Sequence, residues 1–207
     1  DSLYSRNRSK KVELLARVYD HVEHRYVKGF RKLTAGWSDG VTFIPLAFTL
    51  LSSADPKKRL YEQGPELPAN CPGTERRAEA ILKTTDVVIK LLDQILEYTQ
   101  SFNYVLFDSW FSWPNVIQEI KERKIDTICM LKDMPHIKYG YGDSYYRLSD
   151  LYAHLGNKTG DSDIIGSLQV DYYGIPARVV FVCNRNNKRE WLALLSTDLS
   201  IPDEEII

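Results

Sequence analysis

The chain has 207 residues, 43% of them hydrophobic, with 27 Lys or Arg against 28 Asp or Glu. That is enough apolar material for one sizeable core with room for an inserted subdomain, and a net charge of −1 gives no global signal for a polyanion or a membrane. No run approaches the roughly 18 apolar residues of a membrane span. Cys71, Cys129 and Cys183 are widely spaced, without CxxC or Cys/His pairing, which argues against a structural zinc site and for reduced thiols in a cytosolic protein.

Locally the charge is uneven. Residues 1–32 carry nine Lys or Arg against four acids, a surface that could face a polyanion or simply water. Residues 3–24 are polar and irregular, with a short helical pattern around Lys11–Tyr19. The runs 30–40 and 41–53 flank a Ser38-Asp39-Gly40 turn signal and predict a hairpin, with Pro45 marking an edge or a bulge. Residues 54–73 hold four of the nine prolines and read as a long surface loop. Thr74 is placed to cap a helical stretch over 75–82. A stronger helix is expected over about 85–99, with Val88, Leu91, Leu92, Ile95 and Leu96 on its buried face.

Residues 103–108 predict a buried strand that stops at Asp108. A helix follows, with Ser112 as cap, Pro114 in its first turn and an apolar face of Trp113, Val116, Ile117 and Ile120. With a strand at 126–133 this makes a β-α-β unit, which favours parallel pairing. The Tyr- and Gly-rich residues 136–198 predict antiparallel strands at 164–173, 177–185 and 190–198. Ser200 to Ile207 announces a helix and the sequence stops, so the chain, which begins with Asp and not Met, reads as an excerpt.

Asp108 is the residue of most chemical interest. A carboxylate at the carboxyl end of a central strand sits where active sites of open α/β sheets collect, and Mg²⁺ takes oxygen ligands from one or two carboxylates. By pattern alone the turn-capping reading, in which the carboxylate accepts backbone N–H bonds, comes first. Asp1, followed by Arg6, Arg8, Lys10 and Lys11, is a second carboxylate that could join it. Asp39 is expected to serve its turn, Asp126 and Asp133 to be ordinary strand-end polar residues, and Glu204 and Glu205 to favour a helix N-terminus. His21 and His24 do not form a ligand set. No GxSxG, P-loop or GxGxxG occurs, so serine-hydrolase and nucleotide-binding readings lack their signatures. Trp191 is expected in the core.

The stretches DSLYSRNRSKKVELLARVYDHVEHRYVKGFRKLTAGWSDG (1–40), YVLFDSWFSWP (104–114) and KREWLALLSTDLSIPDEEII (188–207) resemble the catalytic domain of bacterial insertion-sequence transposases of the DDE type. The resemblance implies an α/β, RNase H-like (retroviral-integrase-like) mixed sheet with helices, plus an antiparallel β-rich insertion. It places the first part of the catalytic core in 1–135, the insertion in 136–198 and the start of a late core helix in 199–207. In such enzymes three carboxylates hold two Mg²⁺ or Mn²⁺ ions. Asp108 matches the second Asp, and Asp1 is either the first or its neighbour. The Glu would lie beyond Ile207, so this excerpt alone is expected to be inactive.

The activity implied is metal-dependent strand cleavage and strand transfer at insertion-sequence ends, by a cytoplasmic, nucleoid-associated bacterial protein. Its partners would be DNA and, in the DNA complex, a second copy of the chain, with no membrane. Arg6, Arg8, Lys10 and Lys11, with Arg185, Lys188 and Arg189 at a hairpin turn, are the candidate phosphate contacts. Trp110 and Phe111 are expected to pack under the strand–helix joint. The alternatives are a non-catalytic DNA- or partner-binding remnant, or an RNase H-like nuclease that does not transpose.

Overall fold

A computed structural model describes residues 2–6, 11–99, 101–155, 163–187 and 190–207, and the chain divides into two compact units, 1–102 and 103–207. Both are mixed α/β and rich in sheet.

The first unit is organised on one long strand. β1 (Ser2–Ser5), β2 (Ala16–Asp20), β3 (Arg25–Ser38) and β4 (Phe43–Leu51) form its sheet, and β3 pairs antiparallel with each of the others. Gly29 pairs with both Ser5 and Ala16, and Arg31 with both Leu3 and Leu51. β1 therefore occupies one edge of β3, while β2 and β4 follow one another along the other. The helical pattern expected at 11–19 is overridden. Leu14 takes a positive φ of 56°, which no helix continues through. Beyond it Ala16 and Val18 are buried while Arg17 and Tyr19 are exposed, the two-residue period of a strand.

The expected β3–β4 hairpin is present. Asp39 Oδ1 accepts the N–H groups of Val41 and Thr42 at 3.0 and 2.7 Å, and Gly40 supplies the positive φ of 91°. Ala35 pairs with Ala47 but Gly36 with Pro45, so a bulge falls beside the proline, as an edge strand permits.

Two helices follow the surface loop. α1 (Pro72–Glu79) starts earlier than Thr74 suggested, because Pro72 sits at the first helical position, where a missing N–H costs nothing. The Thr74 hydroxyl instead donates to the Pro68 carbonyl at 2.9 Å. α2 (Thr84–Leu96) buries Val87, Leu91 and Leu92, with Val88 only half-buried. Leu14, Leu15, Phe30 and Ala80 form an apolar cluster. Within this unit Glu79 is 2% exposed and is held by Lys90 at 2.9 Å, Arg76 at 3.0 Å and the Thr49 hydroxyl at 3.2 Å. Burial alone would raise its pKa. The bonds from Lys90 and Arg76 outweigh burial and hold the carboxyl below its usual value.

The second unit is one seven-stranded sheet. Its strands are β5 (Tyr104–Phe107), β6 (Asp126–Leu131), β7 (Tyr139–Tyr141), β8 (Ser144–Tyr146), β9 (Ile164–Tyr172), β10 (Ile175–Cys183) and β11 (Trp191–Ser196), in the order β5-β6-β11-β10-β9-β7-β8. β5 and β6 are parallel, linked by α3 (Pro114–Glu122), as the β-α-β reading requires. The strands of 136–198 are antiparallel, and β11 hydrogen-bonds directly to β6, so they extend the sheet of β5 and β6.

Alternation distributes the core. Cys129, Leu131, Val179, Phe181, Ala193 and Leu195 pack on one face with Ile117 of α3 and with Leu148 and Leu151 of α4 (Leu148–Ala153). Ile128, Val180 and Val182 face the other way, against Ile201 and Ile206. Trp191 is half-buried and stacks on Tyr152 at 5.0 Å. The helix announced after Ser200 is a single 3₁₀ turn, Asp203–Glu205.

Candidate active site

The turn after β5 is built from its own residues. Tyr104–Phe107 pairs in register with Asp126–Cys129, so Asp108 emerges at the carboxyl end of the β5–β6 pair. The buried, central strand expected here is instead the edge strand of its sheet, paired on one side only, with Leu106 71% exposed. Asp108 Oδ1 accepts the Trp110 N–H at 2.9 Å, and its carbonyl accepts the Phe111 N–H at 3.3 Å. Phe111 is buried and meets Phe107 edge-on, ring centroids 6.2 Å apart. Ser112 is buried but does not cap α3. Its hydroxyl donates to the Ser109 carbonyl at 3.0 Å, while its own carbonyl accepts the Tyr172 hydroxyl at 2.8 Å. Trp113 Nε1 donates to the Trp110 carbonyl at 3.2 Å, and its ring stacks on His136 at 5.8 Å.

Only half of the aromatic expectation holds. Phe111 packs under the joint, but Trp110 is 54% exposed. The reason is geometric: within this tight turn the Asp108 carboxylate holds the Trp110 backbone, and the next residue is the one turned inward. The Asp108 side chain itself is exposed. Its bond to Trp110 engages one carboxylate oxygen, and a carboxylate has about four acceptor sites. The turn-capping role and a cation-binding role are therefore compatible at the same residue.

Strand direction decides what else reaches this edge. β11 runs antiparallel to β6 and β10 antiparallel to β11, so β5, β6 and β10 all end on the same side. Asp133 follows β6 there, and its Oδ2 is bonded by Arg147 at 3.1 Å. The turn after β10 carries Arg185, which is 83% exposed and pairs with Asp163 at 2.9 Å. Asp126 lies at the opposite edge, where it accepts the Thr197 hydroxyl at 2.6 Å and an ion pair from Lys121. A cavity of about 490 Å³ is lined by Asp143, Tyr145, Gln169 and Asp171.

The remaining candidates belong to the first unit or lie outside the described residues. Arg6 is exposed, its guanidinium 5.5 Å from the centre of the Tyr4 ring, and Lys11 is exposed. Asp1, Arg8, Lys10, Lys188 and Arg189 lie outside the described residues. Among the described residues no group of three or more His, Cys, Asp or Glu is placed to hold a metal ion, and no helix is long and apolar enough to cross a membrane.

The sequence reading missed Asp198. It accepts the Tyr104 hydroxyl at 2.7 Å and both the backbone N–H and the hydroxyl of Ser200, at 2.8 and 2.6 Å. Ser200 and Tyr104 together hold its carboxyl down at about 2, and the Tyr104 phenol is pushed up to about 12 by that bond. The pair ties the first residue of β5 to the end of β11. The Asp198-Leu-Ser200 spacing is a turn signal that could have revealed the Ser200 bonds. No signal in the sequence points to Tyr104.

The family model described as DDE superfamily endonuclease matches residues 1–133. The chain belongs to this family. No curated protein matches the chain. Membership identifies a DDE-type transposase or endonuclease domain, with DNA cleavage as its chemistry and DNA as its substrate, and the superfamily generally uses divalent metal ions. The matched segment contains the whole β-α-β unit and Asp108.

Proposed function

We propose that this DDE endonuclease domain is the catalytic core of a bacterial insertion-sequence transposase, performing metal-dependent strand cleavage and strand transfer at the ends of its element. The observation that carries the reading is Asp108, an exposed carboxylate on a rigid turn at the carboxyl end of a parallel strand pair. In that reading the fold is RNase H-like, residues 1–135 and 199–207 belong to the core and 136–198 are a β-rich insertion. The protein acts on DNA in the cytoplasm, at the nucleoid, as a dimer on the paired ends.

The donor chemistry suits hard divalent cations. Asp108 offers carboxylate oxygen, the ligand Mg²⁺ and Mn²⁺ prefer, with Asp1 the second residue to which the resemblance extends. When bound, such ions supply Lewis-acid polarisation of a phosphodiester and a nucleophile at neutral pH. The protein's own share is position: the Trp110 N–H holds the Asp108 carboxylate, the Phe111 N–H its carbonyl, and the Ser112 hydroxyl ties down Ser109, which lowers the cost of assembling the site. Arg6, Arg8, Lys10 and Lys11, and the turn with Arg185, Lys188 and Arg189, would bind phosphates in a salt-dependent way.

The test is Mn²⁺-dependent nicking and strand transfer of a terminal inverted repeat by the intact protein. Asp108→Ala should lower the nicking rate at least a hundredfold while lowering the unfolding midpoint by only a few degrees, the effect of losing one exposed hydrogen bond to the Trp110 N–H. Unchanged nicking removes Asp108 from the site. Nicking without strand transfer of any inverted repeat makes the protein a nuclease that does not transpose.

A further inference from the structure

We propose that the exposed end of one face of the β1-β3-β2 sheet, from Lys28 to the β2–β3 hairpin tip and short of the buried Phe30, is a binding platform for single-stranded DNA. On this face Lys28 lies directly opposite Arg17, and the Arg6 N–H bonds to the Lys28 carbonyl from the other edge. Three cations thus stand in one row, on β2, on β3 and one residue past the end of β1, at the strand spacing of about 4.8 Å. Gly29 is what brings β1 so close: a Cβ there would lie 2.4 Å from the Tyr4 carbonyl oxygen.

The next row toward the hairpin tip is aromatic. Tyr26 pairs across the strands with Tyr19, and the two rings meet edge-on at 5.2 Å, with His21 beside Tyr19 at 5.0 Å. Tyr26 is 70% exposed and Tyr19 36%. On the far side of the cationic row Tyr4 is 42% exposed beneath the Arg6 guanidinium.

Two features argue against a merely solvated surface. Like charges directly opposite in an antiparallel pair destabilise it, so Arg17 against Lys28 is a cost that solvation alone does not explain. Nor does the face neutralise itself. Asp20 and Arg25 point to the other side, since Asp20 alternates with Tyr19 and Arg25 with Tyr26, and Glu23 pairs with Arg25. Among the described residues neither Arg17 nor Lys28 has an acidic partner. A cationic row flanked by exposed aromatic rings matches what holds unpaired strands without sequence readout: phosphates on the charges, bases stacked on the rings. A duplex keeps its bases stacked inside and has no use for the tyrosines.

The proposal takes from the transposase reading only the polyanion's identity, so the two can fail separately. The measurement is fluorescence anisotropy of the intact protein on a labelled oligothymidylate and on a duplex of equal length, at two salt concentrations. Tyr26→Ala should weaken oligothymidylate binding about five- to a hundredfold and leave duplex binding unchanged, while Tyr26→Phe, which keeps the ring, should bind as wild type. Arg17→Gln and Lys28→Gln should each reduce the salt slope on the single strand by about 0.7. Circular dichroism checks that the variants stay folded.

If the Tyr19→Ala/Tyr26→Ala protein binds oligothymidylate as tightly as wild type, the platform is wrong, even if Asp108-dependent nicking persists. Equal losses on duplex and single strand from the cation variants alone would also overturn it, since the face would then be a duplex contact. Tyrosine-dependent binding in a protein that never nicks DNA would uphold the platform and refute the transposase reading.

Discussion

Replacing Tyr104 by Phe removes one hydroxyl and keeps the ring. That hydroxyl donates to Asp198 Oδ2 at 2.7 Å and anchors the first residue of the strand that delivers Asp108. Hydrogen bonds to charged groups contribute about 1.5–3 kcal/mol. Asp198 is half-buried and retains its two bonds from Ser200, so the loss should fall near or below the lower end, about 1–2 kcal/mol at neutral pH.

The pH dependence carries a second signature. The Asp198 carboxyl is depressed to about 2 from an ordinary 3.8, so its stabilisation is present above pH 3.8 and is lost as pH falls through 2. The Tyr104 phenol is raised to about 12 from 10, so the hydroxyl's contribution is full below pH 10 and disappears as pH climbs through 12. The stability difference between wild type and Tyr104→Phe should therefore form a plateau between about pH 4 and 10 and collapse outside it. Urea unfolding followed by tryptophan fluorescence at pH 7, 4 and 2.5, on both single variants and Tyr104→Phe/Asp198→Asn, measures the difference and the coupling. Additivity within about 0.3 kcal/mol at pH 7, or a difference that persists undiminished at pH 2.5, would refute the anchoring role.

Three further outcomes are expected. Phe111→Ala should destabilise by about 3–5 kcal/mol, because it empties a buried site against Phe107, whereas Trp110→Ala at an exposed position should cost under about 1 kcal/mol; urea unfolding separates them. Glu79→Ala should cost about 2–4 kcal/mol, since it strands the Thr49 hydroxyl and two cations, moderated by the partial exposure of Arg76 and Lys90 to water. Because its partners hold the Glu79 carboxyl below the usual range, wild type should lose that margin on acidification while Glu79→Ala changes less, so the two unfolding midpoints converge at low pH.

Much of this fold is written locally. The β3–β4 hairpin follows from Ser38-Asp39-Gly40, the β5-α3-β6 unit from apolar runs around Pro114, and the antiparallel strands after residue 136 from their alternation. These signals lie within a few residues of the structure they specify, and Asp108 at a strand end was legible for the same reason. The failures have a common physical cause. Residues 11–19 have apolar positions compatible with either period, and only pairing with β3 selects the strand. Thr74 and Ser112 are good caps in isolation, but their hydroxyls find the Pro68 and Ser109 carbonyls first.

Which distant groups share a surface is settled by the assembled sheet and by nothing local. Sheet order brings Asp108, Asp133 and Arg185 to one edge, because β5, β6 and β10 run the same way. Strand pairing sets Arg6, Lys28 and Arg17 in one row, and a hydroxyl 94 residues away in the chain holds Asp198. Periodicity says which face a residue takes within its own strand. It carries no information about which strand lies beside it, and that choice rests on long-range burial and hydrogen bonding that form only when the sheet does.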